Sequence, residues 1–205
     1  KNNMKNFYSN ALLTSNTLAI SRNMENTNFR LSFGHTDSKD FVETGKFIKR
    51  NVSVNAGTQI DWFSVDLSSM YIYEGAKNRQ YVGGNVRNAN YTLTLIPSNI
   101  NVLDMKPGYH PDGTELIFTD GAVTNPYFVI DRVYEEDSKN RLMNSITLKA
   151  EPFKDFYLQS RLLQDYYFFR RMNYQPEGMN WQPFGGELRE LWQEFQEMNY
   201  EFTTG

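Results

Sequence analysis

Residues 17–36 read TLAISRNMENTNFRLSFGHT, two segments of alternating character joined by a short polar turn. In the second segment, one side would collect the large apolar side chains and a histidine, namely Phe29, Leu31, Phe33 and His35. The residues between them are polar or small. Because successive side chains of a β-strand point to opposite faces, this spacing predicts an antiparallel hairpin with one apolar and one polar face.

The same alternation returns further along the chain. It predicts four more strands, at residues 48–60, 63–75, 141–152 and 156–172. Tight turns are expected at 22–26, 60–62 and 152–155, and long loops at 36–47, 75–137 and 172–187. This rhythm is typical of a membrane-spanning β-barrel, whose strands need about 9–11 residues to cross the bilayer at a tilt. We therefore expect the turns to face the periplasm and the loops to face outside.

The composition fits a barrel with an apolar exterior and a polar interior. Aromatic residues make up 15% of the 205 residues, yet the mean hydropathy is −0.62. The net charge of −3 argues against a nucleic-acid partner, because the phosphate backbone requires a clustered basic face. The chain has no cysteine, which excludes disulfides and thiolate metal sites. No segment approaches the roughly 18 apolar residues of a membrane helix.

The last segment, 187–203, is ambiguous between helix and strand. Its apolar residues recur at helical spacing, and they are Leu188, Leu191, Trp192, Phe195 and Met198. Glu, Gln, Leu and Arg also favour a helix by intrinsic propensity. A strand is the alternative, because Trp192, Met198 and Phe202 would then share one face.

Taken together, the sequence resembles the SusC/RagA-type TonB-dependent outer-membrane transporters. The segment LAISRNMENTNFRLSFGHTDSKDF (18–41) is similar to an early barrel hairpin of the family, and KRNVSVNAGTQI (49–60) to the strand that follows. The segments TLIPSNINVLDMK (94–106) and VTNPYFVID (123–131) resemble its long extracellular loop. LMNSITLKAEPFKDFYLQSRLLQDYY (142–167) matches the next hairpin. The resemblance extends over residues 7–203 and favours a strand at 199–202.

The resemblance implies an all-β fold, in which antiparallel strands form part of a large transmembrane β-barrel with long extracellular loops in the bacterial outer membrane. Members of this family close a barrel of about 22 strands around a plug domain. Here we expect about seven strands and no plug, so residues 1–205 would be a fragment of one barrel domain. The first ten residues, KNNMKNFYSN, also lack the apolar core of a signal peptide, which favours a piece of a longer protein.

The resemblance further implies import of large nutrients, either oligosaccharides and other glycans or peptides. The partners expected from the family are a SusD-like surface lipoprotein, the TonB protein acting through the plug of the parent chain, and outer-membrane lipid. No catalytic, cofactor or metal pattern is present, because His35 and His110 are isolated and the glycines lack a phosphate-binding context. We therefore expect a transporter segment and not an enzyme.

Two sets of residues are candidates for function. Aromatic side chains in the long loops could contact a substrate or partner, and these are Tyr81, Tyr109 and Trp181. Polar side chains on the strands should face the lumen of the barrel, and these are Asn51, Ser53, Asn55, Gln159, Arg161 and Asp165. Packing of loop against loop is the alternative role for the first set, and ordinary interior packing for the second.

Two other classes of protein share the alternating pattern. The first is a soluble β-sandwich, such as a carbohydrate-binding module, in which the apolar faces would form one compact core. The second is a surface β-barrel or adhesin that does not transport.

Overall fold

The computed structural model describes residues 3–79, 81–119 and 123–205. Seven strands form one antiparallel sheet, and each strand lies beside its neighbour in sequence. The strands are β1 (Leu12–Met24), β2 (Thr27–Lys39), β3 (Lys46–Ile60), β4 (Phe63–Lys77), β5 (Tyr134–Phe153), β6 (Phe156–Gln175) and β7 (Glu187–Thr204). The all-β fold and the strand number expected from the sequence are confirmed.

Neighbouring strands pair in a continuous register, interrupted by one irregularity between Ala150 and Phe153 of β5. Leu31, for example, lies opposite Ile20 on β1 and Val54 on β3. Directly opposite residues point to the same face, so each face of the sheet can be followed as rows that cross the strands.

One face of the sheet, here called the apolar face, carries aliphatic and aromatic side chains on every strand. Its members include Leu18, Phe29, Phe33, Val52, Leu67, Ile146, Leu162 and Tyr200. These side chains are not covered by the chain itself, since Leu18 is 68% and Leu67 42% exposed. One part of this face extends from the row of residues through Phe33 to the row through Ile60. In the described strands, this part carries one charged side chain, Arg22, which lies close to the turn between β1 and β2.

The opposite face, here called the polar face, carries the charged and hydroxyl-bearing side chains of the same rows. They include Arg30, Ser32, Asp66, Arg141, Thr147 and Glu197. The two faces of one sheet therefore meet surroundings of opposite character.

The buried apolar side chains lie at one end of the sheet, where the long loops meet. This loop cap consists of the described residues of 3–11, 40–45, 78–133 and 176–186. It holds two short helices, α1 (Ala89–Thr94) and α2 (Pro126–Arg132), and two apolar clusters. The larger cluster consists of Phe7, Val42, Ala89, Leu93, Val102, Met105, Tyr127, Val129 and Ile130.

Local chemistry explains how helix α2 begins and how the cap packs against it. The side chain of Asn125 accepts a hydrogen bond from the backbone N–H of Tyr127 at 3.0 Å, and Pro126 follows at the first helical position. Gly108 lies against this turn with φ +94°, and a Cβ there would sit 2.3 Å from the backbone nitrogen of Phe128. Only glycine fits at that position.

The loops are shorter than the sequence suggested. The expected long loop at 36–47 is wrong, since pairing continues to Lys39 and Lys46 and leaves a connection of residues 40–45. The other loops shrink to 78–133 and 176–186. At these ends most residues on both faces are polar, so the alternation of apolar and polar residues disappears although the backbone pairing continues.

The ambiguity of the last segment is resolved. Residues 187–204 form strand β7 although their local propensity favours a helix. Strand β7 pairs with β6 from Gln175 opposite Glu187 to Leu158 opposite Thr204, and this long ladder overrides the propensity. Among the described residues, no helix is long and apolar enough to cross a membrane.

The register of β7 can be tested by cross-linking, because the chain contains no cysteine of its own. Gln164 and Met198 lie directly opposite one another, so a Gln164→Cys/Met198→Cys variant of the protein that carries this chain should form a disulfide on mild oxidation. Gln164→Cys/Glu197→Cys is the matched control, because those side chains point to opposite faces. Equal cross-linking of the two variants, measured by electrophoretic mobility, would contradict this register.

Candidate functional site

The polar residues predicted on β3 share the polar face and contact the neighbouring strands. Ser53 is buried, and its Oγ lies 2.6 Å from the Oγ of Ser32. Asn55 accepts a hydrogen bond of 2.8 Å from Ser68. Asn51 lies opposite Gly34, where a Cβ would sit 2.4 Å from the Asn51 Oδ1. Because Gly34 has no side chain, the Asn51 amide has room to lie against it.

The residues predicted on β6 lie on the same face, further along the sheet. Asp165 accepts two hydrogen bonds from the guanidinium of Arg141, the Nε bond measuring 2.8 Å. Arg161 donates to Thr147 at 3.3 Å and lies 3.8 Å from the Glu201 carboxylate. Gln159 lies opposite Lys149, one row nearer the turn.

These two groups do not form a single site. Strands β4 and β5 separate them, a distance of roughly 14 Å at the usual spacing between strands. Most of the polar groups are also engaged with neighbours in ion pairs or hydrogen bonds. The polar face is therefore a hydrophilic surface on which most of these groups are paired with neighbours.

The loop aromatics, in contrast, come together in the cap around arginines. The guanidinium carbon of Arg87 lies 5.8 Å from the ring centres of both Tyr81 and Trp181, and Arg87 also forms an ion pair of 3.0 Å with Glu187. Tyr109 carries the Arg132 guanidinium over its ring at 3.9 Å. The arrangement forms three cation–π contacts, two at Arg87 and one at Arg132, at the loop end of the sheet.

Two of these aromatics also support the fold of the cap. Tyr109 and Trp181 pack against the smaller apolar cluster of Phe128, Val133 and Met179. Their rings are therefore partly covered, which agrees with the alternative of loop packing against loop. Tyr81 belongs to neither apolar cluster.

Sequence reasoning missed both arginines and a buried carboxylate. Glu115 is 2% exposed, and its carboxylate accepts backbone hydrogen bonds from Asn125 at 2.6 Å and Asn180 at 2.7 Å. Burial raises the pKa of Glu115, and the two N–H donors act in the opposite direction. Glu115 thus connects three segments of the cap. A single Glu in a loop carries no sequence signal for this role.

The loop cap carries side chains of the kinds that recognise ligands. In the described part of the chain, no three His, Asp or Glu side chains lie together in a way that could hold a metal ion. The cap offers aromatic faces, guanidinium groups and amide side chains, which recognise sugars or peptides by stacking and hydrogen bonding.

Comparison with known proteins gives a fold but not a family. Neither a protein-family model nor a curated protein sequence matches this chain. One chain of the RagAB peptide importer in its open-open state matches 98% of this chain with a TM-score of 0.67 and 16% sequence identity. The ferric-catecholate import receptor Fiu from E. coli K12, in its open form, matches 95% of it with a TM-score of 0.53 and 11% identity.

The chain spans 22% of the RagAB chain and 33% of the Fiu chain. At these identities the similarity describes architecture alone. The seven-stranded sheet therefore has the fold of one part of the barrel wall of TonB-dependent receptors.

Replacing Glu115 should loosen the cap without disturbing the sheet. Glu115→Ala removes two hydrogen bonds to a buried carboxylate, a loss of about 3 kcal/mol in local stability. We expect the amides of Asn125 and Asn180 to exchange hydrogen roughly 100-fold faster, with the amides of β3 unchanged. Glu177→Ala, an exposed glutamate in the same loop cap, is the control. Unchanged exchange in Glu115→Ala would contradict the connecting role of this carboxylate.

Proposed function

We propose that this chain is a segment of an outer-membrane transporter of the SusC/RagA type, which imports large nutrients with energy supplied through TonB. In this proposal the apolar face contacts lipid, the polar face lines the lumen, the short turns face the periplasm and the loop cap faces outside. The chain supplies wall, lumen lining and extracellular loops to a complete barrel, and it carries out no covalent chemistry.

The observation that carries the proposal is the charge-poor apolar face. From Val52 to Ile60, strand β3 extends about 27 Å, which corresponds to roughly 20 Å across a bilayer at a 45° tilt. Aromatic side chains follow at the turn end, where Trp62 is 58% and Phe153 73% exposed. Together these features match the apolar band of about 25 Å and the aromatic girdle of an outer-membrane barrel.

A soluble sandwich does not account for this face. The described residues form one sheet, and no second sheet covers Leu18, Phe33 or Leu67. Exposing so large an apolar surface to water is costly, whereas lipid accepts it. The sheet edges at β1 and β7 would pair with further strands of the parent barrel, because unpaired backbone groups in lipid cost several kcal/mol each.

The cap suggests the class of substrate and the position of the partner. Tyr81, Tyr109 and Trp181 lie close to Arg87 and Arg132, a combination suited to oligosaccharides or peptides. A SusD-like surface lipoprotein would lie over this cap as a lid and hand substrate to the lumen. The lumen lining would include Asn51, Ser53, Asn55, Gln159, Arg161 and Asp165.

Membrane insertion can be tested with two substitutions on adjacent residues of β4. Leu67→Arg introduces a charge on the apolar face and should destabilise the inserted barrel by about 2–4 kcal/mol. Ser68→Arg introduces the same charge on the polar face, where it remains in water, and should be tolerated. The measurement is heat-modifiable migration of the full-length protein extracted from outer membranes. Equal tolerance of the two substitutions would contradict a lipid-facing surface.

Substrate contact by the cap can be tested with two tryptophans at opposite ends of the sheet. Trp181→Ala should raise the apparent KM for uptake about tenfold, because a central aromatic contact is lost. Trp181→Phe keeps the packing against Met179 and should recover most of the affinity. Trp62→Ala, in the opposite turn, should leave the KM unchanged. The assay is uptake of labelled oligosaccharides and peptides by cells that express the full-length protein. An unchanged KM in Trp181→Ala would contradict substrate contact by the cap, and no uptake by the unmodified protein would indicate a surface barrel that does not transport.

A further inference from the structure

Three lysines form a row on the apolar face, at the end of the sheet nearest the cap. Lys39 of β2 lies directly opposite Lys46 of β3, and Lys46 lies directly opposite Lys77 of β4. All three are exposed. Asp37, Ile48 and Gly75 occupy the adjacent row, and the charge-poor band begins two rows beyond them, at Val52 and its neighbours.

This arrangement is unfavourable for the protein alone. Like charges directly opposite one another on neighbouring strands repel. Within the described residues, Lys39 and Lys46 make no ion pair, and Lys77 has one of 3.4 Å with Glu136, at a site where both side chains are about half exposed. The row thus holds more positive charge than nearby carboxylates neutralise.

At the same end of the sheet, the charged side chains of the polar face are arranged differently. There, each of three basic side chains has an acidic partner: Lys49 pairs with Glu74 at 3.0 Å, Arg79 with Asp137 at 2.6 Å, and Arg171 with Glu135 at 2.5 Å. Lys139, in the row of Lys49 and Glu74, makes no ion pair but lies 4.2 Å from the centre of the Tyr167 ring. These four basic side chains of the polar face therefore each have a partner, whereas Lys39 and Lys46 on the apolar face have neither an ion pair nor a ring contact among the described residues.

The lysines border a shallow concavity of about 550 Å³ on the surface of the sheet. Ile48, Tyr73 and Gly75 contribute to its lining, and Arg170 lines it from β6. Three acidic residues, Asp37, Glu136 and Asp137, also lie in the lining and limit its net positive charge. The concavity can accept a compact anionic group while leaving the apolar surface below it free.

We propose that this lysine row binds the phosphorylated headgroup of a membrane lipid. The inference rests on the proposed function, because a lipid headgroup lies here only if the apolar face contacts a bilayer. Phosphate would accept hydrogen bonds from the Nζ groups of Lys39, Lys46 and Lys77, and the acyl chains would lie along Val52 and its neighbours. Lysines at this interface act as point charges toward anionic lipid.

The test uses the full-length protein in dodecyl maltoside, titrated with lipid A, a glycolipid with two phosphates. The triple variant Lys39→Gln/Lys46→Gln/Lys77→Gln should bind lipid A roughly 100-fold more weakly than the unmodified protein, at about fivefold for each lysine. The matched control, Lys49→Gln/Lys139→Gln/Lys149→Gln, loses the same charge from the polar face and should bind as the unmodified protein does.

Two further titrations identify the group that is recognised. Dephosphorylated lipid A should bind as weakly to the unmodified protein as lipid A binds to the triple variant. Inorganic phosphate at millimolar concentration should not displace lipid A. The proposal is overturned if the triple variant keeps its affinity, if the dephosphorylated lipid binds equally well, or if free phosphate alone displaces the lipid. Failure of the protein to insert into lipid vesicles in a flotation assay would instead contradict the proposed function, and it is measured separately.

Discussion

The continuous cross-strand register is the constraint on which the rest of this structure depends. Side chains alternate with a period of two, so a slip of one residue between any two strands would transfer a whole set of side chains to the other face. With Leu31 opposite both Ile20 and Val54, most of the large apolar side chains of the sheet remain on one side. The separation of apolar from polar surface is therefore a consequence of register, and the proposed contact with lipid follows from that separation.

The buried apolar contacts are distributed unusually in this chain. The sheet has paired backbones and two open faces, whereas the buried apolar clusters lie in the loop cap. Glu115 and Asn125 connect cap segments that are distant in sequence, through hydrogen bonds to backbone groups. The cap is thus built like a small globular core at the end of the strands, and this lets the loops present Arg87 and its aromatic neighbours in one arrangement.

The strands were predictable wherever one face is apolar and the other polar, as in residues 17–36 and 48–60. They were not predictable where both faces are polar, so the ends at Lys39 and Lys77 were placed in loops. The predicted lumen residues of each strand all have odd numbers, so the period of two residues placed those of one strand on a common face. The grouping of Tyr81 and Trp181 around Arg87 could not be predicted, because it depends on loops that are about 100 residues apart in sequence.

Sequence alone determined the alternation, the tight turns and the all-β class, because these depend on local chemistry with a period of two residues. The tertiary structure decided that residues 187–204 form a strand, since the ladder with β6 outweighs a local preference for helix. It also decided which charges are paired. Lys49 finds Glu74 across a strand, while Lys39 and Lys46 meet each other, and only the register of three different strands determines which charges become neighbours.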